Sequence, residues 1–498
     1  MVDLRVWLAV WVVATVALLG IGLLRRGWIT RLLSTGPPPL ASLIGLVAIV
    51  TGLGLLATPT GDEPHYLIMT QSLLREGDLD LRDNYERLDY LEYYDYVIAD
   101  PHVTYDADGW HPVHNFGLPM LIAPAFAVGG RAAVVLVIAI MSATGVRVVW
   151  SLLRRAGASY RAAGIAALTV ALTLPFASMA GQIYPEVPAF LLVSVAIWAI
   201  FAPSMKHWDL LGLFVVLAVL PWLHLKYTAL SLGLLVAASI VHRRRDVLPK
   251  FALGAVVIIA SVTALVATSL WLFNIPVPGL SAVVPQGAGG ITWQDLISAH
   301  FLASPLVGMA GVLFDQQSGL LLASPIFALA VPGLITLRPW RPLATAVIFL
   351  SVYLPAGLWG VWHAEGSSPA RFLLPTVPVL ALGLAAVLQF PTVLSRRSFV
   401  ILAVPSFVHA YLMATLPSFV RYGDPATHHN FFVALAERVT GWDLAPLFPS
   451  FRDVTSMTWI SALMYTAVIL FMTIMLLRGS PRQALRKGMS DVPAEVQP

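Results

Sequence analysis

A polytopic, all-α membrane protein is the fold class this 498-residue sequence predicts, and three observations predict it. Apolar residues make up 58% of the chain and charged residues only 11%, against roughly 25% charged in a soluble domain. Apolar runs of about twenty residues recur, the length that crosses about 30 Å of hydrocarbon. The charges are also sorted, with basic residues in short loops and acidic residues in longer segments between the runs. The net charge of +4 therefore does not point to nucleic acid. Cysteine is absent, which excludes a disulfide framework, a thiolate metal site and a cysteine nucleophile.

Run length places about thirteen spans, near 4–24, 40–58, 131–153, 162–180, 187–203, 209–223, 228–241, 250–273, 318–337, 342–360, 372–390, 398–416 and 457–477. The stretch 117–129 adds an interfacial or re-entrant piece. Arg25 and Arg26, not a small-residue cleavage site, follow the first run, so it reads as a retained helix. Residues 1–39 form an added N-terminal helix and turn, and 40–397 a transmembrane core. Helices over 398–478 follow, then a polar tail over 479–498.

With the acidic segment placed outside, most of the 30 Lys and Arg fall in inner loops and most of the 26 Asp and Glu fall outside. This predicts a multi-pass protein of the plasma (inner) membrane with an external N-terminus and a cytoplasmic C-terminus. Three outer segments are long enough to hold structure. In 59–116, Tyr85, Tyr90, Tyr93, Tyr94 and Tyr96 suit a half-buried interfacial helix. Glycines and prolines precede an amphipathic stretch from Trp293 in 274–317, and 417–456 holds Arg421, Asp424, His428, His429 and Trp442.

The stretch Gly61–Asp62–Glu63–Pro64–His65–Tyr66 stands out. It follows the apolar run Leu40 to Ala57 and opens a segment, Asp62 to Asp108, with 13 acidic residues and three Arg. Asp62 or Glu63 is expected as the N-cap of a new helix and Pro64 as its first residue. Tyr66, one turn on, can share the direction of Asp62. A carboxylate held there at the outer membrane face can act as a general base toward a hydroxyl acceptor. Helix capping is the plainer use of one of the two acids.

Four more groups lie at predicted outer turns. Lys226, in Pro221–Trp222–Leu223–His224–Leu225–Lys226–Tyr227, opposes the positive-inside bias and needs an anionic partner such as a lipid phosphate, or else snorkels. Arg371 ends a crowded polar and aromatic stretch that includes His363 and Glu365. It matches phosphate oxygens bidentately, or closes the turn by pairing with Glu365. Gln182, Tyr184 and Glu186 can hydrogen-bond sugar hydroxyls or cap a helix, and Asp315 beside Gln316 and Gln317 reads the same way. The histidines His102, His111 and His114 share the first loop with many carboxylates, a donor set that suits zinc or manganese but matches no metal-binding spacing.

This pattern resembles the GT-C superfamily of membrane glycosyltransferases, which includes the aminoarabinose transferases and the protein O-mannosyltransferases. In that family an acidic pair opens the first large external loop just after a span, as Asp62–Glu63 does here with Tyr66 beyond it. The family's Arg/Lys–aromatic–x–x–Pro segment is similar to Arg371–Phe372–Leu373–Leu374–Pro375. The resemblance implies Asp62 as catalytic, with Glu63 tuning it. It implies Lys226 and Arg371 on the phosphate of a polyprenyl-phosphate-linked sugar and a lipid or glycan acceptor; the sequence specifies no cofactor, and a divalent metal is compatible with it. His224, His363, Glu186 and Asp315 would line the cavity, with Tyr184, Glu365, His111 and His114 nearby. The chain departs from the family in its added first helix. Its first loop lacks a Lys–Pro–Pro motif, His111–Pro112–Val113–His114 occupying that place. No large C-terminal soluble domain is evident, which favours a monosaccharide donor.

Two other classes compete with transfer. A flippase or transporter of lipid-linked sugars should carry ionisable groups near the bilayer midplane, often in two related halves. A non-catalytic envelope-assembly protein should bind sugar lipid without turnover. No Gly-rich nucleotide-phosphate loop is present.

Overall fold

The computed structural model describes residues 40–105, 109–242, 248–273, 305–364, 367–415 and 431–480. The predicted first helix, Glu365, residues 274–304, the Arg421–His429 cluster and all but the first two residues of the tail lie outside them.

The described chain is helical apart from one small hairpin. Its main helices are α1 (Leu40–Leu56), α2 (Glu63–Arg75), α3 (Gly117–Arg155), α4 (Tyr160–Ala171), α5 (Glu186–Ile200), α6 (His207–Leu223) and α7 (Tyr227–Val241). They continue as α8 (Leu248–Phe273), α9 (Pro305–Phe314), α10 (Arg341–Leu358), α11 (Val377–Val387), α12 (Val393–Thr415) and α13 (Ser456–Arg478). The hairpin pairs β1 (Val103–Tyr105) with β2 (Trp110–Pro112) in antiparallel register.

Among the described residues, five helices are long and apolar enough to cross a membrane: Gly117–Arg155, Pro249–Leu272, Arg341–Leu358, Val393–Ala414 and Ser456–Arg478. This makes the chain a multi-pass membrane protein. The thirteen expected spans do not all appear as such. Helices α1, α5, α6 and α7 are apolar but only 15–17 residues long, or about 22–26 Å at 1.5 Å per residue. Three expected spans are broken at proline, which removes a backbone N–H and clashes with the preceding turn. The run 162–180 stops at Ala171 and resumes as Phe176–Met179 after Pro175. The run 318–337 divides at Pro325, and 372–390 begins as a 3-10 turn over Arg371–Thr376 before α11. The expected piece 117–129 is the first part of α3, set off from the rest by a kink at Gly129 and at Gly130, whose φ of 56° is left-handed.

Helix α5 explains how the bundle is organised. Its sequence is apolar on all sides, so it belongs inside the bundle, and Val187, Phe190, Val193 and Ile197 are fully buried. It packs against α3 and α6, while α7 packs against α10 and α8. At the Ile200 end of α5 lie basic side chains. His242 Nε2 meets the Ile200 carbonyl at 2.8 Å, Arg341 donates to the carbonyls of Ala156 and Phe201, and Arg155 pairs with Asp209 at 3.3 Å. Glu186, about 22 Å away at the other end, belongs to a different cluster.

The tyrosine-rich part of 59–116 is not the single interfacial helix expected. It forms two short pieces, Arg82–Glu86 and Asp89–Glu92, separated where Leu88 adopts a left-handed φ of 59°. Tyr85 and Tyr90 turn inward onto α2 and its neighbours, while Tyr96 is exposed.

Candidate active site

The site begins at the end of α1. Arg131, beside the α3 kink, donates to the carbonyls of Gly54 and Ala57 at 2.7 Å each, satisfying acceptors that a helix C-terminus leaves open. The chain then turns at Gly61, whose φ of +58° favours glycine. A Cβ there would also lie 2.5 Å from the Tyr184 hydroxyl. That hydroxyl donates to the Thr60 carbonyl at 2.6 Å and accepts the Asp62 N–H at 3.1 Å. Tyr184 is therefore the clamp that sets where Asp62 starts.

Asp62 occupies the N-cap position of α2 but makes no capping bond, so its carboxylate is available to the site. Glu63, not Pro64, is the first helical residue. The two acids have different work. Glu63 is buried and accepts the N–H of Thr60 at 3.0 Å and that of Ile183 at 2.8 Å, tying α2 to the segment before α5. Asp62 faces inward, with Oδ2 3.1 Å from Arg371 Nη2. Its Oδ1 faces His102 Nδ1 at 3.7 Å and His114 Nε2 at 3.9 Å. Burial pushes the Asp62 carboxyl up, but Arg371, aided by His114, His102 and His65, holds it well below the usual carboxylate range. Burial lowers His114 to about 4, against the pull of Asp62.

The hairpin delivers the histidines. Its register pairs Val103 with Pro112, and the Val113 N–H bonds the His102 carbonyl at 3.1 Å, so His102 and His114 close the open end together. Their ring nitrogens are 3.1 Å apart. His65 stacks on His102 at 3.7 Å and meets the Tyr85 hydroxyl through Nδ1 at 2.6 Å, while Tyr66 packs 4.8 Å from His114. Asp62, His102 and His114 each offer a ligand atom within 4.8 Å of the others, a spacing that could hold a metal ion.

Both cations lie against Phe372. Lys226 Nζ lies 4.1 Å from that ring and Arg371 Cζ 4.9 Å, with Arg371 also 4.8 Å from Tyr184. Lys226 pairs with Glu186 at 3.0 Å. The other Glu186 oxygen, Oε2, and Gln182 Oε1 are buried without a hydrogen-bond partner among the described residues. His224 accepts the Lys226 N–H at 3.3 Å and packs edge-on to Tyr227. A narrow crevice bordered by His363, Ser318, Arg371 and Phe372 opens beside the guanidinium.

Asp62, Tyr66, His114, Tyr184, Glu186, His224, Lys226, His363 and Arg371 thus lie together at this end of the bundle. Asp315 does not join them. Its two oxygens accept the N–H groups of Gln317, Ser318 and Phe451, so it knots a loop. His111 sits within β2 opposite Thr104. The alternative partner for Arg371, Glu365, lies outside the described residues, among which Arg371 meets Asp62. His65 and Arg131 were not singled out from the sequence. For Arg131, the Gly129–Gly130 pair just before it signals a kink.

Fold and site together define a multi-pass helical membrane protein with a buried, charged cluster at one end of its helices. No family model matches the sequence, and no curated protein matches it. The structure is similar to the crystal structure of ArnT from Cupriavidus metallidurans in the apo state, with 14% identity and a TM-score of 0.49. That similarity covers 88% of this chain and 76% of that chain.

Proposed function

We propose that this chain is an inverting GT-C-type glycosyltransferase. It moves one sugar from a polyprenyl-phosphate carrier to a lipid or glycan acceptor at the external face of the plasma membrane. The observation that carries the reading is the Asp62–Arg371 contact at 3.1 Å, with Lys226 held against the same Phe372 ring as Arg371. A carboxylate and two cations then share one buried site.

In the proposed reaction the acceptor hydroxyl attacks the anomeric carbon while the bond from that carbon to the phosphate oxygen breaks. The hydroxyl proton passes to Asp62, and the electron pair goes to the lipid phosphate. Lys226 and Arg371 meet the charge that grows on that phosphate. Asp62 paired to Arg371 is a weak base. A donor phosphate that draws the guanidinium toward itself frees Oδ2 and raises its basicity when it is needed. Glu63 acts by fixing where α2 begins. Gln182 and Glu186 Oε2 offer buried acceptors for sugar hydroxyls.

The basic end of the bundle lies opposite this site, which supports a cytoplasmic address for the former and an external one for the latter. Ionisable groups at helix ends rather than mid-helix favour transfer over transport. Comparing glycolipids and envelope glycans of cells with and without the protein tests the reading. A glycan lost on deletion, and not restored by Asp62→Asn, is expected; identical glycans in all strains would overturn it.

A further inference from the structure

We infer that the basic end of the bundle holds one anionic phospholipid, in a cavity remote from the Asp62 site. The cavity, of about 280 Å³, opens where α3, α11 and the short helix Ala330–Ile335 end. Leu153, Leu337, Leu382 and Phe390 give it apolar walls, and Arg338 and Gln389 stand among them as its long polar side chains. Such a lining matches an amphiphile, with a stretch of acyl chain against the walls and a negative head beside the guanidinium. The volume is at the low end of the roughly 300–1,000 Å³ of small-molecule sites, so it takes part of a chain rather than a whole lipid.

The charges around the mouth select the sign of that head. Helix C-termini favour cations, and two arginines answer them here. Arg154 donates to the Ala158 carbonyl, and Arg341 to the Ala156 carbonyl at 3.1 Å. Arg338 is surplus to that need. Asp209 pairs with Arg155, and among the described residues no acid pairs with Arg154, Arg338 or Arg341. The Arg341 N–H bonds the Arg338 carbonyl at 3.2 Å, so two like charges share one turn and an anion relieves their repulsion. Trp340, between them, is exposed, as is Tyr160, whose ring lies 3.7 Å from the Arg154 guanidinium. Exposed aromatic rings beside basic residues mark the headgroup level of a bilayer, where a phospholipid is the anion at hand. Free phosphate would use the arginines and leave the apolar walls uncovered. The cavity and the Asp62 site lie at opposite ends of the bundle, so this inference stands whether or not the chain transfers sugar.

The test uses the full-length protein in neutral detergent, given dioleoyl phosphatidylglycerol, dioleoyl phosphatidylcholine, glycerol phosphate or inorganic phosphate. Native mass spectrometry should count one tightly held phosphatidylglycerol per chain, and the thermal midpoint should rise with that lipid alone. Arg338→Gln should weaken its binding about fivefold, and Ala386→Trp, which puts an indole into the cavity, about tenfold. Arg397→Gln, an exposed arginine on α12 outside the lining, and Lys226→Met, in the Asp62 site, should leave it unchanged. Should Ala386→Trp fail to fold, the wild-type preference for phosphatidylglycerol over glycerol phosphate decides. Equal effects of the two lipids, a water-soluble phosphate bound as tightly as phosphatidylglycerol, unchanged binding by Arg338→Gln, or its loss in Lys226→Met would overturn the inference.

Discussion

Arg371 Nη2 lies 3.1 Å from Asp62 Oδ2, joining the first loop of the core to the start of a late helix pair. Both side chains are mostly buried, at 11% and 19% exposure, so neither is a solvated surface charge. Removing one member of such a pair leaves an uncompensated charge, at a cost of about 3–5 kcal/mol. Arg371→Ala should therefore weaken donor binding more than tenfold and lower the thermal midpoint. Arg371→Lys keeps the charge but not the planar fork, and should recover stability better than donor affinity. Equal donor affinity in wild type and Arg371→Ala, measured by binding of a polyprenyl phosphate, would limit Arg371 to pairing with Asp62.

Lys226 and Glu186 form a second pair at 3.0 Å, with Glu186 almost fully buried. Glu186→Gln should leave Lys226 without its anion and tighten the hold on lipid phosphate, while losing affinity for the sugar. Lys226→Met should lose phosphate affinity. A double-mutant cycle on donor binding should give a coupling of about 1–3 kcal/mol. A coupling near zero would separate the two residues.

Gly61 is required by both conformation and space. Alanine there meets a left-handed backbone cost of about 1–2 kcal/mol and a Cβ 2.5 Å from the Tyr184 hydroxyl. Gly61→Ala should displace Tyr184 and cut transfer sharply. Tyr184→Phe, which relieves the hydroxyl contact, should restore part of the stability lost in Gly61→Ala. Full activity of Gly61→Ala alone would contradict the clamp.

The sidedness proposed for the site has its own check. Tyr96 is exposed in the first loop, and Tyr96→Cys in this cysteine-free chain gives one labelling address. A membrane-impermeant thiol reagent applied outside should label it in intact cells. Labelling only after the membrane is opened would reverse the orientation.

Much of this was legible in the sequence for physical reasons. Asp62, Lys226 and Arg371 stood out because charges beside apolar runs are costly without partners, and the structure brings Lys226 and Arg371 to one ring, Phe372, with Asp62 paired to Arg371. The division between Asp62 and Glu63 came only from the resemblance, because both acids sit at a helix start and only the fold shows Glu63 held by Ile183. His102 was noted among three histidines but not separated from His111. The hairpin joins Tyr105 to Trp110 across four residues, so the Asp108–Gly109 pair read as a two-residue turn would have given another register. Asp315 read as a cavity residue since a buried carboxylate bound only by backbone N–H groups looks the same in sequence. Breaks within the apolar runs at prolines such as Pro175 and Pro325 were not legible, since run length does not register a lost N–H.

The rate of sugar transfer by Asp62→Asn, measured with purified protein and a polyprenyl-phosphate-linked sugar, tests the central claim most directly. Transfer should fall about 10²–10⁴-fold in folded protein that still binds the donor, the thermal midpoint falling because Arg371 loses its carboxylate partner. Wild-type transfer in that variant would contradict the account.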